Sequence, residues 1–537
     1  MKRSALPVLV AIAGGALWGL CFGRESLPLA SWIALAPLFF LLSARRAGLL
    51  AFVHGLTGWM VGLSWIPATL VTFGGMSLLL AWPLTGLLAA YLAAFQGIFG
   101  WLGAPLWRSR PVLRLVALPA LWVALEWLRT WLFGGFPWNL AAYAWVDVYG
   151  ALPLAAWTGA YGVSFLVVLA GVGAAAAFQR RRWEPLAACW LVPLLLLPMA
   201  ARWSHRRALV ELEEAHDGAE MAGTGVPVRL IQPDIANLVA WDPVAVGNNY
   251  RKMMRLSHES CQPGALVVWP ESAAWPFSYV EDPLFARDLH TLVETGGCTV
   301  LFNASHPVGN AFYNSAYLLS PGGSVARYDK RHLVPFGEYI PFKGLFSWMD
   351  KLARNAGDFR QADALTLLPW GDEKIGMAIC YEVVFPEEAA DLARAGATLL
   401  VTITNDAWYG DTAAPWQHFR AARFRAAENR RPLLRAAITG VSALVGPDGS
   451  VWQEIGVFQE GVIRAHVVGK KGLTPYARAP WLVPLLCTLL AAGAVGWRWK
   501  SRRKDLKDIN DPKDEKTAGG RGRLGLLRPL GPGRVGE

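Results

Sequence analysis

GMAICYE, residues 376–382, is the stretch on which the reading of this 537-residue chain turns. An apolar run from Ile375 to Ile379, rich in strand formers, stops on Cys380. Tyr381 and Glu382 follow. Pro386-Glu387-Glu388 then reads as a helix start, with proline in the first turn and acids at the positive end of the helix dipole. A nucleophilic thiol is often held between a buried strand and a helix, because the side chain emerges at the sheet edge while the backbone behind it is fixed. The competing reading is a thiol packed as a small hydrophobe, the commoner fate of free cysteine. Neighbouring segments must decide between them.

Around that stretch, residues from about 202 to 478 read as short apolar strands alternating with helical stretches. Strands are expected at 226–231, 265–269, 299–303, 316–319, 374–379, 398–404, 434–444 and 462–468. Helices are expected at 248–260, 283–294, 386–395 and 416–430, the last stopped by Pro432. Alternation of this kind implies a layered α/β domain with buried sheets. The sequence shows no internal repeat, no P-loop and no GxGxxG. Two more segments carry chemistry. Val267-Val268-Trp269-Pro270-Glu271-Ser272 is a strand that runs into a proline and presents Glu271 at its exit, and YDKRHLVPFGEY, residues 328–339, places Lys330 and Glu338 in a loop. Together with Cys380 they supply a base, a cation and a thiol, each at an element boundary, where sites are usually built. Taken singly, Glu271 and Lys330 are ordinary surface charges.

The first two hundred residues are of another kind. The chain is 54% hydrophobic and only 17% charged, with a mean hydropathy of +0.30 and 27 tryptophans, many near the ends of apolar runs. Apolar segments at 6–22, 28–42, 49–71, 78–102, 113–133, 157–178, 185–201 and 481–497 approach the roughly 20 residues that a bilayer-spanning helix needs. The formal charge of +11 sits in short clusters between these runs, which is membrane topology and not a nucleic-acid face. Lys2-Arg3, Arg45-Arg46, Arg108 with Arg110 and Arg114, Arg180-Arg181-Arg182 and the basic group after 497 fall at every second junction. With eight helices, both termini are then cytoplasmic and the α/β domain is exported. The domains expected are a membrane domain at 1–201, a linker or surface helix at 202–224, a catalytic domain at 225–478, a closing transmembrane helix at 479–498 and a basic, disordered tail at 499–537. Glu126 and Arg129 share one face of the fifth span. They read as an ion pair between helices, as an arginine snorkelling outward, or as a contact from Arg129 to an anionic lipid headgroup. Of the exported cysteines 261, 298 and 380 at most one pair can form, and the sequence leaves a Cys261–Cys298 pairing open.

WPES at Glu271, YDKRHLVPFGEY around Lys330 and CYE at Cys380 resemble the three signatures of the nitrilase, or carbon–nitrogen hydrolase, superfamily. NDAWYG at 405–410 and the stretch at 417–449 agree with it. With the membrane half, including EWLRTW at 126–131, GGFPW at 134–138 and YGVSF at 161–165, the chain as far as about Trp497 is similar to the apolipoprotein N-acyltransferase family. One local departure is Asp234, where the family more often has Asn. The resemblance implies a polytopic helical membrane domain of about eight transmembrane helices in the bacterial inner membrane, plus a nitrilase-like αββα sandwich on its periplasmic side. It also implies Cys380 as nucleophile, Glu271 as general base and Lys330 as oxyanion partner, acting on a phospholipid acyl donor and a diacylglyceryl apolipoprotein acceptor. Glu338 would orient Lys330 or Glu271, Tyr381 and Glu382 would flank the nucleophile, and Trp241 and Trp408 would line the substrate side. No cofactor and no metal is expected, since His306 and His332 lack partners at ligand spacing. The chain is read as a monomer with no nucleic-acid partner. Two other readings remain: a membrane-tethered amidase that gives its acyl-enzyme to water, and a non-catalytic lipid-binding membrane protein.

Overall fold

The computed structural model describes residues 5–216, 225–235, 242–335, 337–339 and 359–510. The membrane half opens with α1 (Leu6–Leu20), α2 (Pro28–Ser31) and α3 (Ala36–Leu41), followed by α4 (Ala47–Gly62) and α5 (Ile66–Thr72). Then come α6 (Leu78–Trp107), α7 (Pro111–Arg129), α8 (Ala151–Arg180) and α9 (Glu184–His216). Among the described residues five helices, the last of them near the C-terminus, are long and apolar enough to cross a bilayer. The pair α4 and α5, bent by 49°, makes a sixth if counted as one span. The first two expected spans are shorter: α1 has 15 residues, and the second is interrupted between Ser31 and Ala36. Helix α9 runs on to His216, through the first part of the segment expected to be a linker or surface helix.

Twelve strands follow among the described residues: β1 (Val226–Gln232), β2 (Leu266–Val268), β3 (Thr299–Val308), β4 (Ala311–Ser320), β5 (Ser324–Asp329), β6 (Leu367–Trp370), β7 (Glu373–Ile379), β8 (Leu399–Thr404), β9 (Leu433–Ala437), β10 (Ser442–Val445), β11 (Val451–Ile455) and β12 (Gly461–Val467). Between them lie α10 (Pro243–His258), α11 (Pro283–Gly296), α12 (Pro386–Arg394) and α13 (Ala414–Asn429); α14 (Pro475–Arg478) and α15 (Leu482–Asn510) close the chain. The strands form two six-stranded sheets, ordered β12-β1-β2-β3-β4-β5 and β11-β10-β9-β8-β7-β6. In each, three strands are parallel (β1, β2 and β3; β7, β8 and β9) and the flanking pairs antiparallel. The topology thus repeats, β1-α10-β2-α11-β3-β4-β5 matching β7-α12-β8-α13-β9-β10-β11, although the sequence carries no repeat. The expected strand at 434–444 is two strands of a hairpin, because the chain turns at residues 438–440 and β9 and β10 pair antiparallel. The segment expected to be disordered from 499 is helical as far as Asn510, where Arg, Lys and Leu, all good helix formers, extend the preceding span.

Burial explains the layering. Val228, Leu230, Leu266 and Val268 of one sheet meet Ile375, Met377, Leu399 and Val401 of the other in a continuous apolar core. Met253, Leu256, Phe285 and Leu289 of α10 and α11 cover the outer face of the first sheet. On the second sheet, Leu392 of α12 and Phe419 and Phe424 of α13 join one apolar cluster with Trp122, Tyr143 and Tyr161 of the membrane half. The αββα sandwich therefore has one helical layer pressed against membrane helices. Cys261 and Cys298, left open by the sequence, form a disulfide joining the segment after α10 to the start of β3.

Polar groups buried in that seam are paired across it. The Gln417 amide donates to Phe22 O and Gly62 O, both at 2.9 Å, and accepts from Trp138 Nε1 at 2.6 Å and Trp65 Nε1 at 3.2 Å. Helix α8 breaks at Gly159 (φ +66°), and the Ala160 N–H is taken by Glu428 Oε1 of α13 at 2.7 Å. An unmatched group at such a depth costs about 1–3 kcal/mol. Gln417→Leu fills similar volume but strands all four partners. We expect it to lower the thermal unfolding midpoint of the detergent-solubilised protein by a destabilisation of at least about 2 kcal/mol; an unchanged midpoint would show that water replaces the amide.

Candidate active site

Strand ends deliver the expected residues. Glu271 follows β2, Lys330 follows β5 directly, and Cys380 follows β7 directly. All three are buried, Lys330 to 1% exposure. Lys330 Nζ lies 2.8 Å from Glu338 Oε1 and 3.6 Å from Glu271 Oε1. Burial works against charge on this lysine, but Glu338 and Glu271 outweigh it and raise its pKa, so it is a fixed cation. Burial, and next the Glu271 carboxylate, push the Cys380 thiol well above the usual cysteine value, with Lys330 opposing. The resting sulfur is thus a thiol that needs a base. Glu271 is held by Asn314 Nδ2, which donates to Oε1 at 3.0 Å, and by the Asn405 N–H, which donates to Oε2 at 3.0 Å.

Glu338, expected to orient Lys330 or Glu271, is hydrogen-bonded on both carboxylate oxygens. Its Oε1 accepts from Lys330 and from Asn314 Nδ2 at 2.8 Å, and its Oε2 from the Val334 N–H at 2.8 Å. Glu382 holds the nucleophile's loop. It accepts from Ile379 N at 2.6 Å on one oxygen, from Arg331 N at 2.6 Å and His332 N at 3.0 Å on the other, and from Tyr328 OH on both. Burial and the Glu388 carboxylate lift its pKa to about 7, against Lys330 and the backbone donors. Cys380 itself takes a left-handed conformation, φ +52°, which costs a non-glycine residue about 1–2 kcal/mol and persists only where surroundings enforce it.

The remaining expected residues are placed less centrally. Tyr381 is buried and donates to Gly135 O at 3.1 Å, tying the nucleophile's loop to the membrane half. Trp408 is half-exposed at the rim, its ring 4.7 Å from Phe73 of that half. Trp241 lies outside the described residues. Arg129 is 3% exposed, and its Nη1 donates to Phe136 O at 2.9 Å and Trp138 O at 2.8 Å. The loop at 134–138 turns these carbonyls inward, so the guanidinium is tied to the loop. Glu126 likewise serves backbone, accepting from Ala141 N at 2.8 Å. Asn314, Asn405 and His418 were not singled out from the sequence. Asn405 stands in NDAWYG directly after a strand, which was a usable signal; Asn314, inside β4, offered none.

The loop at 134–138 is pinned to the site from several sides. Gly134 and Gly135 have φ +88° and +78°, and a Cβ on Gly135 would meet Thr130 O and the Phe385 ring. His332 Nε2 faces Gly134 O at 2.9 Å and its Nδ1 faces Glu388 Oε1 at 2.9 Å. Both partners accept, so only the imidazolium satisfies them together. Burial opposes that charge, but Glu388 and the Gly134 carbonyl outweigh it and raise the pKa.

Two facing sheets with outer helices, and a glutamate, a lysine and a cysteine at strand ends, define a carbon–nitrogen hydrolase domain carried on a membrane domain. The sequence profile of that family, Carbon-nitrogen hydrolase, matches residues 228–471, and that of the Apolipoprotein N-acyltransferase N-terminal domain matches residues 14–173. The chain is 35% identical to the apolipoprotein N-acyltransferase of Geobacter metallireducens over 510 residues, covering 92% of this chain and 96% of that protein. It is 36% identical to that of Ralstonia nicotianae over 465 residues (83% and 85%) and 32% identical to that of Methylococcus capsulatus over 508 residues (93% and 97%). The chain belongs to the apolipoprotein N-acyltransferase family.

Glu382→Gln must turn an NH2 toward either Ile379 N or the pair Arg331 N and His332 N, and none of these can reverse to accept. We expect the acyltransferase rate to fall by about 5- to 150-fold, the factor that a conflict of about 1–3 kcal/mol gives, measured as turnover with phospholipid. For His332, a pKa raised in the folded state stabilises fully below about pH 6.5, and the gain is lost as pH rises through the folded value. His332→Phe, which keeps the stack on Phe385, should remove this pH dependence from the unfolding midpoint; identical pH profiles would sink the imidazolium assignment.

Proposed function

We propose that the chain transfers an acyl chain from a membrane phospholipid to the α-amino group of the N-terminal S-diacylglyceryl cysteine of apolipoproteins, through a thioester on Cys380. The relatives' activity, the membrane half and the buried glutamate–lysine–cysteine group all favour this reading. The observation that carries it is the pairing of a thiol kept protonated by burial with a carboxylate, Glu271, held by Asn314 and Asn405 N beside a permanent cation, Lys330. Glu271 takes the thiol proton as sulfur attacks the ester carbonyl, and Lys330 stabilises the tetrahedral oxyanion. The intermediate collapses, the lysophospholipid oxygen leaves with the proton from Glu271, and the acyl group stays on sulfur. The acceptor amine then attacks the thioester, gives a proton to Glu271, and the sulfur leaves and regains it. Glu338 orients Lys330, and Tyr381 and Glu382 hold the nucleophile's loop. Trp408, half-exposed beside Phe73, is assigned to the substrate side.

The proposed setting is the bacterial inner membrane, with both termini cytoplasmic and the αββα domain periplasmic, a reading that the spacing of the basic clusters supports. The competing hydrolase would yield free fatty acid from phospholipid even with a diacylglyceryl peptide present, whereas the transferase yields N-acylated peptide. With phospholipid alone, wild type should accumulate a hydroxylamine-sensitive acyl group on Cys380. Cys380→Ser should show none, and Lys330→Ala should form it about 10²–10³ times more slowly, as expected for one lost oxyanion donor. Normal acyl-enzyme formation without Lys330 would end its assigned role.

A further inference from the structure

A buried histidine stands behind the nucleophile. His418 of α13 is fully buried, and its Nε2 lies 3.0 Å from the carbonyl oxygen of Cys380. A carbonyl can only accept, so Nε2 carries the proton. The other ring nitrogen, Nδ1, faces Arg435 Nη2 at 3.2 Å and Asp406 Oδ1 at 3.3 Å. Asp406 is already committed: Thr404 Oγ1 donates to its Oδ1 at 2.7 Å and Arg435 Nη2 to its Oδ2 at 2.7 Å, while Arg435 Nε donates to Val441 O at 2.9 Å. Burial, then the Arg435 charge, lower the His418 pKa, so the ring is neutral, donates from Nε2 and accepts at Nδ1 from Arg435. The face of the ring is covered by Trp138 of the membrane half, stacked at 5.7 Å and 18°.

Cys380 needs such a partner. In its left-handed conformation the peptides on its two sides are turned relative to a continuing strand, and each must find its hydrogen bonds elsewhere. One peptide further back, Glu382 takes the Ile379 N–H at 2.6 Å. The carbonyl on the other side goes to His418. We propose that His418 is a positioning residue for the acyl transfer: by donating to Cys380 O it fixes the nucleophile's peptide, and with it the direction of Sγ. Trp138 and Gln417 make that hold depend on the docked membrane half, since Trp138 both stacks on His418 and donates to the neighbouring Gln417. His418 touches neither sulfur nor substrate in this role, and the proposal rests on the thioester reading above.

Two conservative substitutions separate positioning from mere support of the buried cluster. The amide nitrogen of Gln reaches about as far as Nε2 and can donate to Cys380 O. Asn reaches only about as far as Nδ1, so it can meet Arg435 and Asp406 but not the carbonyl. In phospholipid vesicles with a diacylglyceryl peptide, His418→Gln should keep kcat within about threefold of wild type. His418→Asn should lose about 10²-fold in kcat and in the single-turnover rate of acyl-enzyme formation, as an ångström-scale misplacement costs, with KM for phospholipid unchanged. A His418→Gln protein that fails to fold, or that is no faster than His418→Asn, overturns the proposal. So does a His418→Asn protein that keeps its kcat or loses only KM. If wild type itself yields no N-acylated peptide, the acyl-transfer reading fails instead, and the two failures are told apart by that one control.

Discussion

Helix α13 must bury polar side chains on both of its faces, and the rest of the molecule is arranged to satisfy them. From Ala414 to Asn429 nearly every residue is buried, Gln417, His418, Arg420, Arg425 and Glu428 among them. An unpaired charge or amide at such depth would cost more than the apolar contacts nearby return. Each therefore reaches a named partner: Gln417 and Arg420 the backbone around residues 22–24 and 62, Arg425 the Val384 carbonyl and Glu428, and Glu428 the Ala160 N–H at the break in α8. The partners lie alternately in membrane helices and in the catalytic loops. One helix thereby sets the two halves in register.

That register reaches the nucleophile by short covalent steps. Cys380 is held on one side by Glu382 and on the other by His418, and the next residue, Tyr381, is tied to Gly135. Gly135 belongs to a loop whose carbonyls are held by Arg129 and whose Trp138 is held by Gln417. The two ends of this chain of contacts meet within α13, at Gln417 and His418. A loop in the membrane half and a strained peptide in the sandwich are thus parts of a single hydrogen-bonded unit, which is why the topological repeat of the sandwich leaves no trace in the sequence. Helices α10 and α11 cover the free face of one sheet, while their counterparts α12 and α13 must meet membrane helices.

What the sequence could disclose follows the same division. Strands buried on both faces, such as β7 and β8, stand out as apolar runs, and residues at their exits, Cys380 and Glu271 above all, are marked by the abrupt change to polar chemistry. Strands β5 and β11 are partly exposed and mixed in composition, and β6 is only four residues long with a proline inside it, so period and hydrophobicity did not reveal them. The hairpin of β9 and β10 was hidden because its turn carries apolar residues. Long-range partners were out of reach for a different reason. That Arg129 would turn to carbonyls seven and nine residues on, or that His418 would meet a carbonyl 38 residues away, depends on tertiary packing that no local pattern encodes.

The electrostatics of the site follow from its burial. A cysteine activated by a lowered pKa would suit an exposed cleft, but here the sulfur is deep and beside a carboxylate, so the thiol form is favoured. Lys330 offsets part of that, yet its charge is balanced by Glu338 and Glu271, leaving a centre with one more carboxylate than cations. In the proposed reaction, an anionic tetrahedral intermediate formed next to Lys330 after Glu271 has taken a proton would leave that net charge unchanged, since one negative charge moves from carboxylate to oxyanion and none is created. The low dielectric that makes a free thiolate expensive therefore favours transfer in which proton and acyl carbon move together. In the proposed reaction, the same depth that buries the sulfur would shield a thioester formed there from water, which suits transfer of the acyl group to an amine.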